Sequence, residues 1–140
     1  MRILLAVDGS AVGAAVVRRV AKLAKELKVA PEIHVLHVVP RLSAAAEKEF
    51  GKAGPGRYYD AQSEQALEVV RPHLKRAKLA FKERKVVGDV VPTVLAEAKA
   101  VKADMVAIGS HGKGALKSLL VGSVTQKVIA LSPVPVLVAH

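Results

Sequence analysis

The chain has 140 residues, a formal net charge of +10 and 51% hydrophobic residues, with no cysteine and no tryptophan. This length fits a single domain over residues 1–140 that buries roughly two thirds of its unfolded surface in one core. The absence of cysteine excludes disulfides and thiolate metal sites, and no apolar run could span a membrane, so we expect a cytoplasmic protein without a membrane partner.

A buried strand begins the chain. Residues 3–7 are continuously aliphatic and lead into the turn at 8–10, which predicts a strand covered on both faces rather than a signal peptide. Apolar residues then recur at helical spacing over 16–27, with Gly9 or Ser10 placed to cap the helix. A second buried strand is predicted over 33–39.

Glycine and proline interrupt the middle of the chain. Residues 41–60 lack periodicity, so we expect a flexible surface loop with room for a short helix over 44–50. Helical spacing resumes over 67–81, where Pro72 predicts a kink or an interruption. A short strand is predicted at 86–87.

The last third repeats the alternation of helix and strand. A helix is predicted over 94–101 and a strand over 105–108. Residues 123–126 match a capping box, which predicts a helix that ends near Leu131 and leads to a last strand over 134–138. Five strands alternating with four helices predict an α/β fold, in which helices cover both faces of a parallel sheet.

The most informative motif follows the fourth predicted strand. Gly109, Gly112, Gly122 and Ser123 are spaced G-x2-G-x9-G-S, directly before a predicted helix. Glycine lets the main chain approach a ligand, and the first N–H groups of a helix are unpaired and attract anions. Because no acidic residue follows Asp104, the motif predicts a phosphate-binding loop in a positively charged segment.

The two commonest nucleotide motifs are absent. A Walker A loop would need glycine at Ala107 and serine or threonine at Gly114, and the turn after the first strand lacks G-x-G-x-x-G. A P-loop ATPase and a dinucleotide dehydrogenase are therefore not expected. In an open α/β sheet, ligands bind beyond the carboxyl ends of the strands, which is where Asp8 and Gly109 fall.

Simpler structural roles stay open for the same residues. Gly109 and Gly112 could serve a tight turn, and Ser123 could serve only as a helix cap. Asp8 could cap the first helix or bind the turn at Gly9 and Ser10. A carboxylate beside phosphates would need Mg2+ or a ribose hydroxyl between them. The histidines of the second strand are assigned no chemistry.

The motifs together resemble the universal stress protein family. The resemblance extends over the whole chain, from AVDGS at 6–10 and LHVV at 36–39 to IGSHGKGALKSLLVGSVTQKVI at 108–129 and SPVPVLV at 132–138. It implies a Rossmann-like, doubly wound sheet of five strands in the order 3-2-1-4-5. It also implies a homodimer through the C-terminal strand and a site for ATP, or for ADP or AMP, with Mg2+.

The resemblance implies a role for each site residue. Ala6, Val7 and Val38 line the adenine pocket, and Asp8 meets the ribose or a weakly held metal on the phosphates. The ribose and phosphates are bordered by Ile108 and Gly109. The phosphates are held by backbone N–H groups and a hydroxyl, at Gly112, Gly122, Ser123 and Val124. Two further residues lie within the loop, His111 and Lys113.

Three functions remain open from the sequence. The first is an adenine-nucleotide-binding regulatory protein of the stress response with an unknown downstream partner, in which no catalytic constellation is visible. The second is a slow ATP hydrolase. The third is a nucleic-acid or polyanion binder driven by the charge, which the scarcity of aromatic residues disfavours.

Overall fold

The computed structural model describes residues 1–112 and 121–140. The strands are β1 (Arg2–Val7), β2 (Glu32–Val39), β3 (Phe81–Val87), β4 (Met105–Gly109) and β5 (Val136–Ala139). The helices are α1 (Val12–Glu26), α2 (Ala44–Lys48), α3 (Gly56–Arg76), α4 (Val90–Ala100) and α5 (Ser123–Leu131). All strand pairs are parallel and the order is β3-β2-β1-β4-β5, which confirms the predicted doubly wound α/β fold.

The core lies on both faces of the sheet. Along β1, Ile3 and Leu5 pack against α1 and α3, whereas Leu4 belongs to the core on the opposite face, with α4 and α5. This alternation follows from the two-residue period of a strand, and it explains why β1 is aliphatic at every interior position. Among the described residues, no helix is long and apolar enough to cross a bilayer.

The segment predicted as a loop contains regular structure. It holds α2, a 3₁₀ turn at Gly51–Ala53 and the start of α3, so the described part of the chain has five α-helices rather than four. Ser43 caps α2, because its Oγ accepts a hydrogen bond from the N–H of Ala46 at 3.2 Å. The Tyr59 hydroxyl accepts a bond from the N–H of Leu42 at 2.9 Å and donates to Glu47 at 2.8 Å. These bonds hold the segment against α3.

The helix predicted over 67–81 ends earlier than expected. α3 continues through Pro72 without interruption and ends at Arg76, and Phe81 is the first residue of β3. Lys78 adopts a left-handed conformation with φ 55°, which terminates the helix. The sequence pattern missed most of β3 because its residues 82–85 are charged and exposed. β3 lies at the edge of the sheet, where four of its seven residues are exposed, so charged side chains are tolerated there.

The C-terminal strand lies two residues later than its predicted start. The predicted range began at residue 134, but β5 begins at Val136. Ser132 donates its hydroxyl to the carbonyl oxygen of Val134 at 2.7 Å and accepts a bond from the N–H of Val134 at 3.3 Å, which holds a turn before the strand. β5 lies at the edge of the sheet opposite β3.

An ion-pair network joins α3 to β3. Arg71 donates to both carboxylate oxygens of Glu83, at 2.7 and 2.8 Å, and to Glu64 at 2.7 Å, while Lys85 also donates to Glu64. The hydrogen bonds from Arg71 and then Lys85 lower the pKa of Glu64 from 4.5 to about 2. The network ties the exposed strand to a helix whose other face lies in the core.

Acid should weaken the fold through this network. Since the pKa of Glu64 is lower in the folded state than in the unfolded state, ionised Glu64 stabilises the fold above pH 4.5, and the stabilisation is lost as the pH falls towards 2. We expect Arg71→Met to flatten the dependence of the unfolding free energy on pH in that interval, measured by urea unfolding. Arg57→Met, at an exposed site, is the control. An unchanged slope in Arg71→Met would contradict this assignment.

Candidate nucleotide-binding site

A cavity of about 540 Å³ opens at the carboxyl ends of β1, β2 and β4. This volume lies within the usual range of small-molecule sites, roughly 300–1,000 Å³. The residues predicted to form the site line this cavity, apart from Lys113, which lies outside the described residues. Those lining residues are Ala6, Val7, Asp8, Val38, Ile108, Gly109, His111, Gly112, Gly122, Ser123 and Val124.

One end of the cavity is apolar. Ala6, Val38 and Ile108 belong to the core on the side of α4 and α5 and also line the cavity. Val90 and Val94 of α4 close this end. A flat aromatic ring could lie between the ends of the strands and α4 without burying a charged group of the protein.

The other end is made of glycine backbone and the start of α5. A Cβ atom at Gly112 would lie 2.9 Å from Oδ2 of Asp8, and one at Gly122 would lie 3.4 Å from the carbonyl oxygen of Ser110. Side chains at these positions would fill the space between the two loops. The N–H of Gly122 donates to the carbonyl oxygen of Ser110 at 2.7 Å, which holds the start of α5 beside the end of β4.

Gly109 has a packing role as well. A Cβ atom there would lie 2.8 Å from Cγ1 of Val12 and 3.3 Å from the carbonyl oxygen of His111. Real Cβ contacts are longer than the first of these distances, so α1 can approach β4 this closely only because residue 109 is glycine. This packing role differs from the tight turn that the sequence left open for Gly109, and a ligand can still lie beside the residue.

The capping box predicted for α5 is wrong. Gly122 occupies the N-cap position and no side chain caps it, while Ser123 is the first residue of the helix. The side chain of Gln126 instead donates to the carbonyl oxygen of Val121 at 2.7 Å. Thr125 donates its hydroxyl to the carbonyl oxygen of Gly109 at 2.7 Å and so joins the helix to β4.

The uncapped start of α5 leaves backbone donors at the cavity. Within residues 1–112 and 121–140, no group accepts a hydrogen bond from the N–H of Ser123 or Val124, and both residues line the cavity. The first N–H groups of a helix carry the positive end of its dipole. An anionic group in the cavity would therefore find both donors and a favourable potential.

Asp8 organises the turn after β1. Its Oδ1 accepts a hydrogen bond from the N–H of Ser10 at 2.9 Å, and Gly9 between them has φ 78°. The N-cap of α1 is Ala11, without a side-chain bond, so Asp8 binds the turn and does not cap the helix. Asp8 also lines the cavity, so a ligand there would lie beside this residue.

Further lining residues were not predicted. They are Leu36, His37, Val39, Pro40, Gln62, Val90, Val94 and Thr125. His37 is buried, and its Nδ1 lies 3.2 Å from Oγ of Ser63 in α3. Leu36 could have been found, because it shares a strand face with Val38. Gln62 could not have been found, because the predicted helix began only at residue 67 and its position against the sheet was unknown.

The chemistry of the lining is suited to binding. In the part of the chain that the structure describes, no three or more histidine, aspartate or glutamate residues form a group that could hold a metal ion. His111 Nδ1 lies 2.6 Å from Oγ of Ser110. Among the lining residues within 1–112 and 121–140, Asp8 is the only carboxylate. An apolar end, a glycine end and a helix start together match a ligand with a flat ring and an anionic tail.

Comparisons with known proteins agree on one family. The model of the universal stress protein family matches residues 1–140. Universal stress protein YxiE of Bacillus subtilis is 28% identical over 147 residues, covering 99% of this chain and 98% of that protein. Alignments with three other curated relatives cover between 31% and 48% of their lengths.

Solved structures share the fold. The structure of protein MJ0577, from Methanocaldococcus jannaschii, has a TM-score of 0.82 and 28% identity, covering 99% of this chain and 94% of that chain. A universal stress protein solved in complex with cAMP has a TM-score of 0.66 and 26% identity, covering 100% and 97%. The second similarity joins the fold to an adenine nucleotide.

Proposed function

The chain belongs to the universal stress protein family, and on that premise we propose that it binds an adenine nucleotide, ATP with Mg2+, as a regulatory protein of the stress response. The cavity at the carboxyl ends of the strands carries the proposal, because it joins an apolar end to a glycine-lined helix start. The relative solved with cAMP supports the choice of adenine. The absence of cysteine is compatible with a reducing cytoplasm, where we place this function.

The adenine ring occupies the apolar end of the cavity in this proposal. Val38 and Ala6 contact the ring, with Val7 at its border, and Ile108 lies beside the ribose. The ribose hydroxyls face Asp8, whose carboxylate is acceptable near the phosphates only with a hydroxyl or a cation between them. The apolar end therefore selects the base by its shape, and the contact between the ribose and Asp8 supplies a polar interaction.

The phosphates occupy the glycine end. They accept hydrogen bonds from the N–H groups of Ser123 and Val124 and from the Ser123 hydroxyl, with Gly112 and Gly122 leaving the necessary space. His111 lies at the rim of this end, and Lys113 is proposed to contribute from the loop. Mg2+ would be held chiefly by the phosphates with Asp8 as its protein ligand, since Mg2+ commonly binds one or two carboxylates and substrate oxygens.

The protein is further proposed to form a homodimer through β5. This edge strand is short, and α5 beside it exposes Ile129 at 48% and Leu131 at 62% of their surfaces. Burial of these aliphatic side chains would accompany pairing of the strand edges. Sedimentation at micromolar concentration tests the proposal, and a monomer would count against it.

The resident ligand can be identified directly. Protein purified from cells is denatured, and the released small molecules are separated by chromatography; we expect intact ATP. Titration of the stripped protein with Mg-ATP in a calorimeter should then show saturable binding. Release of ADP or AMP would keep the site but change its ligand. No released nucleotide together with no heat of binding would overturn the proposed function.

A further inference from the structure

The amino edge of the sheet, where the strands begin, is densely cationic. Helices α1, α3 and α4 end at this edge because each connects parallel strands by a crossover. Their last turns and the loops that follow expose six lysines. We define the amino edge by these residues: Lys25, Lys28, Lys75, Lys78, Lys99 and Lys102.

These lysines differ from the cations near β3. In the described residues, Arg71, Lys82, Arg84 and Lys85 all form ion pairs with glutamates, whereas none of the six amino-edge lysines does. Nearby carboxylates offset only part of this charge. Glu32 pairs with Lys82 at 2.7 Å, whereas Asp104, which accepts a hydrogen bond from the backbone N–H of Arg2 at 2.6 Å, adds one exposed negative charge. Glu26 adds a second, so the six lysines remain in clear excess.

Two of the lysines occupy positions that favour glycine. Lys78 follows α3 with φ 55°, and Lys102 follows α4 with φ 53°. The bonds from the N–H of Leu79 to Leu74, 3.1 Å, and of Ala103 to Ala98, 2.8 Å, complete the same helix-ending motif at both sites. Glycine adopts this conformation without strain. A lysine at the C-terminal end of a helix also interacts favourably with the helix dipole. Experiments must therefore separate this structural role of the two lysines from a role in binding.

Exposed aliphatic side chains stand among the lysines. Val29, in the loop after α1, is 74% exposed, and Met1 is 43% exposed. The carbonyl oxygen of Met1 accepts a hydrogen bond from the N–H of Glu32 at 2.9 Å, so Met1 lies at the end of the same loop. The aromatic residue at this edge, Phe81, is half-buried against the core and unavailable for stacking on a base.

We propose that the amino edge binds the surface of an anionic lipid membrane. Its lysines come from helices on both faces of the sheet, so the charged area is about 20 Å across for layers spaced about 10 Å apart. A planar membrane can contact the lysines from both faces of the sheet at once, and Val29 can enter the headgroup region. A nucleic-acid duplex would bind the lysines through its phosphates but would give Val29 no apolar partner.

This surface changes one expectation from the sequence. The expected lack of a membrane partner depended on the lack of a spanning segment, which a peripheral surface does not need. The amino edge lies at the opposite end of the strands from the cavity. A membrane-bound molecule would therefore keep the cavity open to solvent, and the two sites are independent.

Vesicle sedimentation tests the proposal. We expect the protein to bind vesicles of phosphatidylcholine with phosphatidylglycerol, to be released by added salt, and to ignore pure phosphatidylcholine. Lys78→Gly/Lys102→Gly should weaken partitioning by about fivefold per lysine, on the order of 30-fold in total. Because glycine suits both backbone conformations, the melting temperature should stay unchanged or rise. Val29→Ser should also weaken partitioning, at constant charge.

The matched control removes two exposed lysines elsewhere. Lys48→Gln/Lys52→Gln changes the net charge by the same amount, in the segment between β2 and α3, and should bind vesicles like the wild type. Equal losses in both double variants would overturn the proposal in favour of an effect of net charge. Binding to duplex DNA with no partitioning onto anionic vesicles would overturn it in favour of a nucleic-acid surface.

Discussion

Replacing Gly122 with valine is expected to lower the affinity for ATP by at least about 100-fold, if two hydrogen bonds to phosphate of about 1.5–3 kcal/mol each are lost. The added side chain would enter the space between Ser110 and the start of α5, where its Cβ atom would lie 3.4 Å from the Ser110 carbonyl oxygen. Isothermal titration calorimetry with Mg-ATP measures the effect.

The fold should survive this replacement. Gly122 has φ −61° and ψ 151°, a conformation that valine adopts readily. Valine is a poor N-cap, so a loss of about 1 kcal/mol in unfolding free energy is expected. Gly56→Val is the control, because Gly56 also lies at the start of a helix, as the first residue of α3, but has no atom within 4 Å of its Cβ position. Unchanged ATP affinity in Gly122→Val would refute the phosphate site.

A milder replacement grades the same site. Ser123→Ala should reduce ATP binding by about 1.5–3 kcal/mol if its hydroxyl bonds a phosphate. Since Ser123 does not cap α5, its removal should leave the unfolding free energy almost unchanged. A loss of stability without a loss of affinity would instead assign the hydroxyl to the fold.

Gly109→Ala is expected to destabilise the fold by about 1–3 kcal/mol, as overpacking usually does. The new methyl group would lie 2.8 Å from Cγ1 of Val12, in the first turn of α1. Removing the obstructing atoms by Val12→Ala in the same chain should recover much of this loss. Urea unfolding of both single variants and the double variant measures the coupling between the two sites.

The appropriate control is a glycine in a similar loop with more space. Gly109 ends β4 and Gly88 directly follows β3, and a Cβ atom at Gly88 would meet Oγ1 of Thr93 at an ordinary 3.6 Å. Gly88→Ala should therefore change stability little. If Gly109→Ala proved as stable as the wild type but lost ATP, Gly109 would serve the ligand and not the packing of α1.

The sequence predicted the buried part of the fold well. Strands β1 and β2 are covered on both faces, so their aliphatic runs identify them without a structure. The order of the strands came from the family resemblance, because periodicity alone does not say which strands are neighbours. β3 was mostly missed for the opposite reason, since an exposed edge strand can carry Lys82, Glu83 and Arg84.

The site was predictable where the backbone forms it. The glycine spacing found Gly112 and Gly122 because their role is to lack a side chain. The capping box failed because Gly122 and Ser123 are both acceptable N-caps, and a shift of one residue decides between them. His37 and Gln62 reach the cavity through the packing of β2 and α3, which no local pattern encodes.

The charged edge at β3 limits how far copies of this protein can assemble. A strand from another molecule could add there only by taking ammonium and carboxylate groups out of water, which is unfavourable. Two copies joined through β5 would expose only their β3 edges outwards. Sheet extension would then stop at one pair, so the same association that forms a dimer has no route to a fibre.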